Sequence, residues 1–483
     1  MSKSIKKNYI YNLIYQILTI IIPIITAPYL ARVLGLSGTG VTSYTLSIVS
    51  YFIIFSSIGV SSYGQREIAM NRDDKNKCSK LFWELFLLKL FTSILSIVGY
   101  IFVIVLSTKY NIIYLILSLN ILASIFDISW FFQGFEEYKF ISIRNIIIKS
   151  LFTICIFIFV KSKNDLNLYI LLNGLSLLIS SLSLWIKLPK MINKVNLKEI
   201  KIFSHLKNSL IYFLPQVATQ IYTMLDKTML GVITKGEIEN GYYEQAYKII
   251  TMSLTVITSL NTVMSPRMSY LYKEKKHDEI KEKLFKSLQF TFFLGVPMMF
   301  GIACTSYGFV DWFFGSGYEK VKLLLVIFSP IVIIIALSGC LGGQYLTPCG
   351  KRLQSAGALW VGAIVNFILN LILIPKFQSI GAAISSVIAE LIITILYFIL
   401  SKKYIDVKRI LKTVYKYFLA SIFMAMVVFV LFTNLKICII STIVEIVVGL
   451  IVYVLMLILL KDNMIQYFVK MFKKKVVCHE KKV

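Results

Sequence analysis

Long apolar runs separated by short basic connectors dominate the pattern along this chain. A membrane-spanning helix needs about 20 mostly apolar residues. Fourteen runs meet that measure, at 8–33, 40–63, 81–106, 111–133, 142–160, 166–186, 210–233, 241–264, 285–306, 321–343, 355–374, 379–400, 413–433 and 437–460. The pattern predicts an all-α polytopic membrane protein with fourteen transmembrane helices. Composition agrees. Hydrophobic residues make up 57% of the 483 and charged residues 16%, and the mean hydropathy is +0.77. A soluble domain would carry about 25% charged residues. The first run follows Met-Ser-Lys-Ser-Ile-Lys-Lys without a small-residue cleavage site, so it reads as a spanning helix and not as a removed signal peptide.

The formal net charge is +27, which in a soluble protein would suggest nucleic acid. Here the basic residues alternate with the runs. With the N-terminus inside, and residues at span edges counted with the nearer connector, 37 Lys and Arg fall on the inner side and 9 on the outer. That asymmetry predicts both termini in the cytoplasm and no nucleic-acid partner. It also predicts contact with anionic membrane lipids, at about 1 kcal/mol per basic residue near the surface. The remaining five, Lys89, Lys149, Lys227, Lys248 and Lys416, lie within runs. Lys89, with Glu84, is expected to snorkel to the inner surface.

The seven cysteines are scattered and the three histidines lie in charged connectors, so neither a disulfide framework nor a metal site is expected. A nucleotide-binding loop and a nucleophile–base pair are absent too. No cofactor is expected, and active transport would draw on an ion gradient such as H+ or Na+, on the ligand's own gradient or on a downstream sink. Short outer loops argue against an enzyme acting outside the membrane.

The chain repeats itself weakly. Leu34-Gly35 matches Leu230-Gly231, Gly40 matches Gly241, Arg66 matches Arg267, and Gln133 and Gln344 close the fourth and tenth runs. The expected organisation is an N-lobe at 1–186, a cytoplasmic interfacial linker at 187–207, a C-lobe at 208–400, and two further helices with a basic tail at 401–483. In the linker, Leu188, Met191, Ile192 and Val195 would share one face of an interfacial helix. A second long inner connector is expected at Ser265–Leu284. Pro23 and Pro28 interrupt the first run and Pro215 the seventh; prolines at related places in two halves point to a substrate path, or to ordinary kinks.

An ionisable residue within hydrocarbon costs at least about 2.5–3.5 kcal/mol and normally faces a cavity or a partner. Asp226 and Lys227 in the seventh run, and Glu244 and Lys248 in the eighth, form either a structural ion-pair cluster or a working site. On the working reading Lys227, Lys248 and Lys149 bind an anion, while Asp226, Glu244, Glu390 and Asp127 are candidates for a coupling ion. Arg32 would guard the outer mouth or anchor at the interface. Gln16, Gln216 and Gln220 would bind hydroxyl-rich ligands or tie helices together.

Four stretches carry a family resemblance: Ala27-Pro-Tyr-Leu-Ala-Arg-Val-Leu-Gly35, Tyr63-Gly-Gln-Arg-Glu-Ile-Ala69, Trp130-Phe-Phe-Gln-Gly-Phe-Glu-Glu-Tyr138 and Gly241-Tyr-Tyr-Glu-Gln-Ala-Tyr247. They resemble the bacterial polysaccharide-transporter, or O-antigen (Wzx-type), flippases of the multidrug/oligosaccharidyl-lipid/polysaccharide exporter superfamily. The resemblance implies a multidrug-extrusion-like fold of two six-helix lobes in a V, with two extra C-terminal helices. It further implies translocation of an undecaprenyl-pyrophosphate-linked oligosaccharide across the bacterial cytoplasmic membrane, for capsule, exopolysaccharide or O-antigen assembly, alongside a polysaccharide polymerase and assembly proteins. The competing readings are a cation-coupled multidrug antiporter, a lipid-linked peptidoglycan-precursor flippase and, more remotely, a polysaccharide polymerase.

Overall fold

The computed structural model describes residues 2–234 and 236–466, which form α-helices and short 3₁₀ and π turns, with no strand among them. The chain divides into two compact units, Met1–Gly241 and Tyr242–Val483.

In the first unit the order is α1 (Ser2–Ser57), α2 (Val60–Asn71), α3 (Lys75–Leu106), α4 (Asn111–Phe126), α5 (Ser129–Gly134), α6 (Tyr138–Phe159), α7 (Leu166–Ser183) and α8 (Leu206–Thr234). The 56 residues of α1 would reach about 84 Å as one rod, at about 1.5 Å per residue. Instead α1 breaks at Gly35, with φ 69° and ψ −174°, a conformation an L side chain avoids. The backbone stays helical through Pro23 and Pro28, so the interruption expected at those prolines falls at Gly35. Proline's fixed φ suits a helix and removes only one hydrogen bond. Likewise α8 passes residue 215 as one helix.

A second break, at Ile58 (φ 37°) and Gly59 (φ 77°), ends the second run early and starts α2. This helix buries Val60, Tyr63, Gly64 and Ile68, a single face at helical spacing. α2 is therefore amphipathic. The segment 187–207, where an interfacial helix was expected, is a series of 3₁₀ turns at Leu188–Lys190, Leu197–Glu199 and Ile202–His205. Its Leu188, Met191 and Ile192 pack into the protein core with Leu85 and Trp185. Asn193 ties the segment to the start of α3: its N–H donates to Ser79 Oγ at 2.8 Å and its Nδ2 to Asn76 Oδ1 at 2.6 Å. Pro189 disfavours helix at the preceding residue, and these tertiary contacts replace an amphipathic turn on the membrane.

Within this unit α1 packs on α3, α4, α6 and α8, α4 packs on α7, and α2 packs on α5. The α2–α5 contact joins two of the four family-like stretches. Trp130, Phe131 and Phe132 are completely buried, and a Cβ on Gly64 would come within 2.6 Å of the Trp130 ring.

The second unit holds α9 (Ile238–Lys273), which opens at the unit boundary, then α10 (His277–Phe314), α11 (Glu319–Gly339), α12 (Arg352–Phe377), α13 (Ser379–Ser401), α14 (Val407–Asn434) and α15 (Ile439–Leu459). The connector expected at Ser265–Leu284 is mostly helix, because α9 runs to Lys273 and α10 starts at His277. Its polar residues extend two helices beyond their apolar stretches. A bend of 42° separates Ile238–Ser259 from Met264–Lys273, where Pro266 cannot donate to the preceding turn. α11 runs into a π-helical turn at Cys340–Leu346. α14 and α15 pack on α10, and their Tyr417 and Tyr453 join Leu284, Leu341, Tyr345 and Tyr397 in one core.

Eleven helical stretches of the described residues are long and apolar enough to cross a bilayer, or twelve with the bent α9 taken as one span. Length and apolarity alone thus do not reach the expected fourteen. The stretch Ile17–Asn71 enters once although it holds two expected runs. α8 does not enter at all, because Gln216, Gln220, Asp226 and Lys227 make it too polar.

Candidate functional site

A polar helix in a membrane protein needs a polar or protein-covered environment. In the first unit α8 has one, lying along α1 and α2. In its C-terminal third Thr228 Oγ1 lies 2.9 Å from Ser47 Oγ and 3.2 Å from Tyr51 Oη. Gln216 Nε2 donates to Ser62 Oγ at 2.7 Å, so this glutamine ties helices together. Asp226 is 3% exposed, while the adjacent Lys227 is only half-buried. Their divergence around the helix, about 100° per residue, gives the two charges different surroundings.

At one end of this seam the backbones nearly touch. A Cβ on Gly40 would meet the Glu237 carbonyl oxygen at 1.8 Å, and one on Gly241 would meet the Leu36 carbonyl oxygen at 2.3 Å. Lys109 and the Tyr110 hydroxyl, on the α3–α4 loop, both donate to Glu237 Oε1 just after α8. Burial alone would raise the Glu237 carboxyl, but these two hydrogen bonds hold it below its ordinary value.

The other end carries a relay that the sequence reading missed. Tyr63 Oη lies 3.0 Å from His205 Nδ1, and His205 Nε2 lies 2.9 Å from Glu84 Oε2. The second oxygen of Glu84 accepts the Lys201 N–H at 3.0 Å. Beside it Arg66 Nη1 donates to Tyr212 Oη at 2.6 Å. The relay joins α2, α3 and the 3₁₀ segment before α8. Apolar periodicity in α3 hints at it only by leaving Glu84 on a buried face.

Lys89 does not snorkel. It is 1% exposed, and its ammonium donates to the Asp127 backbone carbonyl at 2.9 Å, in the break between α4 and α5. A buried ammonium persists where it satisfies a carbonyl freed by a helix break. Glu84, expected beside Lys89, is held by His205 instead. Asp127 is not an open carboxylate either. Oδ1 accepts the Ser129 N–H at 2.9 Å and Oδ2 the Ser129 hydroxyl at 3.1 Å, which places Asp127 as a local brace at the start of α5.

Of the other expected residues, Lys149 on α6 is half-buried, Arg32 on α1 and Gln220 on α8 are exposed. The side chains of Gln16 and Pro215 lie outside the described residues. In the second unit Glu244 and Lys248 on α9 are half-buried, and Glu390 on α13 is 6% exposed. That unit buries further polar groups: Tyr243 Oη lies 3.1 Å from Ser386 Oγ, Asn370 Nδ2 donates to Asn366 Oδ1 at 3.2 Å, and Gln344 Nε2, in the π turn, donates to Asn261 Oδ1 at 2.6 Å. Among the described residues there is no cluster of three or more His, Cys, Asp or Glu that could hold a metal.

Residues 5–272, more than half of the chain, match the family described as polysaccharide biosynthesis protein. The chain belongs to that family. As a member of it, the chain also matches the MatE family over residues 212–377. It is 25% identical, over 400 residues, to a protein of Escherichia coli (strain K12) named an O-antigen transporter, covering 81% of this chain and 95% of that protein. A low-salt glycan biosynthesis flippase of Haloferax volcanii is 22% identical over 224 residues, 46% of each chain. Among solved structures, lipid II flippase MurJ in an inward closed conformation superposes with a TM-score of 0.74 at 18% identity, covering 95% of this chain and 99% of that one. The fold is that of the flippases and multidrug exporters, in a multi-pass membrane protein.

Proposed function

We propose that this protein is a flippase that carries a lipid-linked oligosaccharide across the membrane, a transporter and not an enzyme. The likeness to an O-antigen transporter over nearly its whole length supports this. The observation that carries it in the structure is α8. Its Gln216, Gln220, Asp226 and Lys227 make it too polar to face lipid, yet it is built into the first unit along the broken α1.

The finer reading is as follows. The protein sits in the bacterial cytoplasmic membrane with both termini inside, as the 37-to-9 distribution of basic residues supports. The cargo is an undecaprenyl-pyrophosphate-linked repeat unit for capsule, exopolysaccharide or O-antigen, moved from inner to outer leaflet by alternating access between an N-lobe and a C-lobe, and passed to a polysaccharide polymerase. Its lipid tail stays in the bilayer. The pyrophosphate meets Lys227, Lys248 and Lys149, each offering a mobile point charge, with Arg32 at the outer mouth and Gln220 toward the glycan. No cofactor takes part. Coupling is to H+ or Na+ through Asp226, Glu244 or Glu390; one charge crossing about 100 mV supplies about 2.3 kcal/mol, enough to bias a two-state carrier.

The test is the double variant Lys227→Ala/Lys248→Ala in liposomes. It should lose flipping at least about tenfold, with an unchanged melting temperature. Full activity would move the anion site elsewhere.

A further inference from the structure

We propose that the start of α6 holds one anionic glycerophospholipid, its phosphate between Lys139, Arg144 and Lys187 and an acyl chain laid along the helix. Its placement in the inner leaflet rests on the topology given above.

An open groove of about 560 Å³ lies there, lined by Phe140, Ile143, Ile147 and Ile148 and by Glu137, Lys139, Arg144 and Lys187. Three cations and one carboxylate are among its lining residues. Lys187 Nζ sits 2.9 Å from Glu137 Oε2 and 4.8 Å above the Phe140 ring, and basic side chains outnumber acidic ones in the lining. Arg144 Nη2 donates to Asn145 Oδ1 at 2.6 Å, which orients the guanidinium beside the groove. A planar fork and an ammonium on an apolar floor are what a lipid phosphodiester at the hydrocarbon boundary requires.

The floor continues up α6. Ile147, Leu151, Ile154 and Ile158 recur at helical spacing and are each at least 55% exposed. From Ile147 to Ile158 the rise is about 16 Å at about 1.5 Å per residue, close to the about 15 Å of one leaflet's hydrocarbon. The stripe therefore matches one phospholipid acyl chain. The groove floor is apolar and continues as an exposed apolar stripe, which favours a phospholipid with its acyl chain over the glycan-bearing cargo.

The full-length protein would be purified in mild detergent and passed through nanodiscs of mixed phosphatidylglycerol and phosphatidylcholine, with retained lipid read by native mass spectrometry. The wild type should keep one phosphatidylglycerol in preference to phosphatidylcholine. Lys139→Gln/Arg144→Gln should lower that retention at least about tenfold at an unchanged melting temperature, with partial recovery in Arg144→Lys. Ile147→Gln, which leaves the cations in place, should weaken retention too. Unchanged retention in the double variant overturns the proposal. So does displacement of the bound lipid by an undecaprenyl-pyrophosphate oligosaccharide, which would make the groove a cargo site, or by glycerol phosphate alone, which would make it a free-anion site. Retention is read without transport, so a failed flipping assay leaves this result standing, and the reverse holds as well.

Discussion

Gly40 and Gly241, counterparts in the internal repeat, stand against each other: an ideal Cβ on Gly40 lies 2.9 Å from the Gly241 nitrogen. No side chain fits between these backbones. The α1 elbow and the turn after α8 are thereby closed on each other at what the proposed topology makes the outer end. If the proposed carrier alternates access at this end, this close contact is where opening would have to part the two backbones.

Gly40→Ala should prevent that closure. The new methyl would meet a backbone carbonyl, which cannot rotate away as a side chain can. We expect a loss of about 1–3 kcal/mol from overpacking, read as a lower melting temperature. Flipping should fall, and a cysteine placed at Thr228 should react more readily with a membrane-impermeant thiol reagent from outside. Labelling equal to that of wild type would show that the elbow does not gate the seam.

The Lys109–Glu237 tie beside that contact gives a pH window. Glu237 is held below its ordinary value, so its contribution is present above the unfolded value of about 4.3 and is lost as pH falls through the lower folded one. The Glu237 hydrogen bond raises Lys109, so its contribution is full below about 10.4 and is lost as pH rises through the higher folded value. The tie is thus intact at neutral pH and opens at the acid end, as Glu237 protonates, or at the alkaline end, as Lys109 deprotonates. Outside accessibility should rise at the acid end in the wild type and be independent of pH there in Glu237→Gln. Charge exchange, Lys109→Glu with Glu237→Lys, should restore closure.

Glu84→Ala should be the most damaging change at the inner end. It strips both the partly buried His205 and the Lys201 N–H of their acceptor. A loss of about 1–3 kcal/mol is expected for each donor left unpaired, seen as a lower melting temperature and faster proteolysis in 187–207. Glu84→Gln, which keeps an acceptor, should lose less. Equal losses would mean that packing rather than hydrogen bonding dominates.

Lys89→Met keeps the length of the side chain and removes its donor. With the Asp127 carbonyl then unsatisfied, the α4–α5 break should loosen. We expect faster amide exchange across 127–134 and a loss of about 1–3 kcal/mol. A variant as stable as wild type would show that water satisfies that carbonyl.

The helical runs were legible because the bilayer sets their length; most predicted runs fall within a helical stretch, while 40–63 is cut at Ile58–Gly59 and 111–133 at Asp127–Ile128. The breaks were less legible. Pro23 and Pro28 suggest a kink that a helix absorbs, while Gly35 looks like any small residue until its φ is known. The linker misled because Leu188, Met191 and Ile192 have amphipathic spacing whether they meet lipid or the protein core. Lys89 and Asp127 misled for a related reason: hydropathy places a charge by depth, whereas these two serve a backbone break that depth does not reveal. The family-like stretches were easy to see, and the structure shows two of them packing on each other through Trp130 and Gly64. The cations expected to meet the cargo are half-buried in two different units, and a sequence alone does not assign their partners.

The central claim is tested most directly with purified protein in liposomes carrying an undecaprenyl-pyrophosphate oligosaccharide, a membrane-impermeant enzyme scoring which leaflet holds the glycan. The account predicts protein-dependent crossing of the glycan and no movement of a cationic drug supplied in its place. A glycan that stays in its leaflet while the drug is expelled against an H+ or Na+ gradient would contradict it.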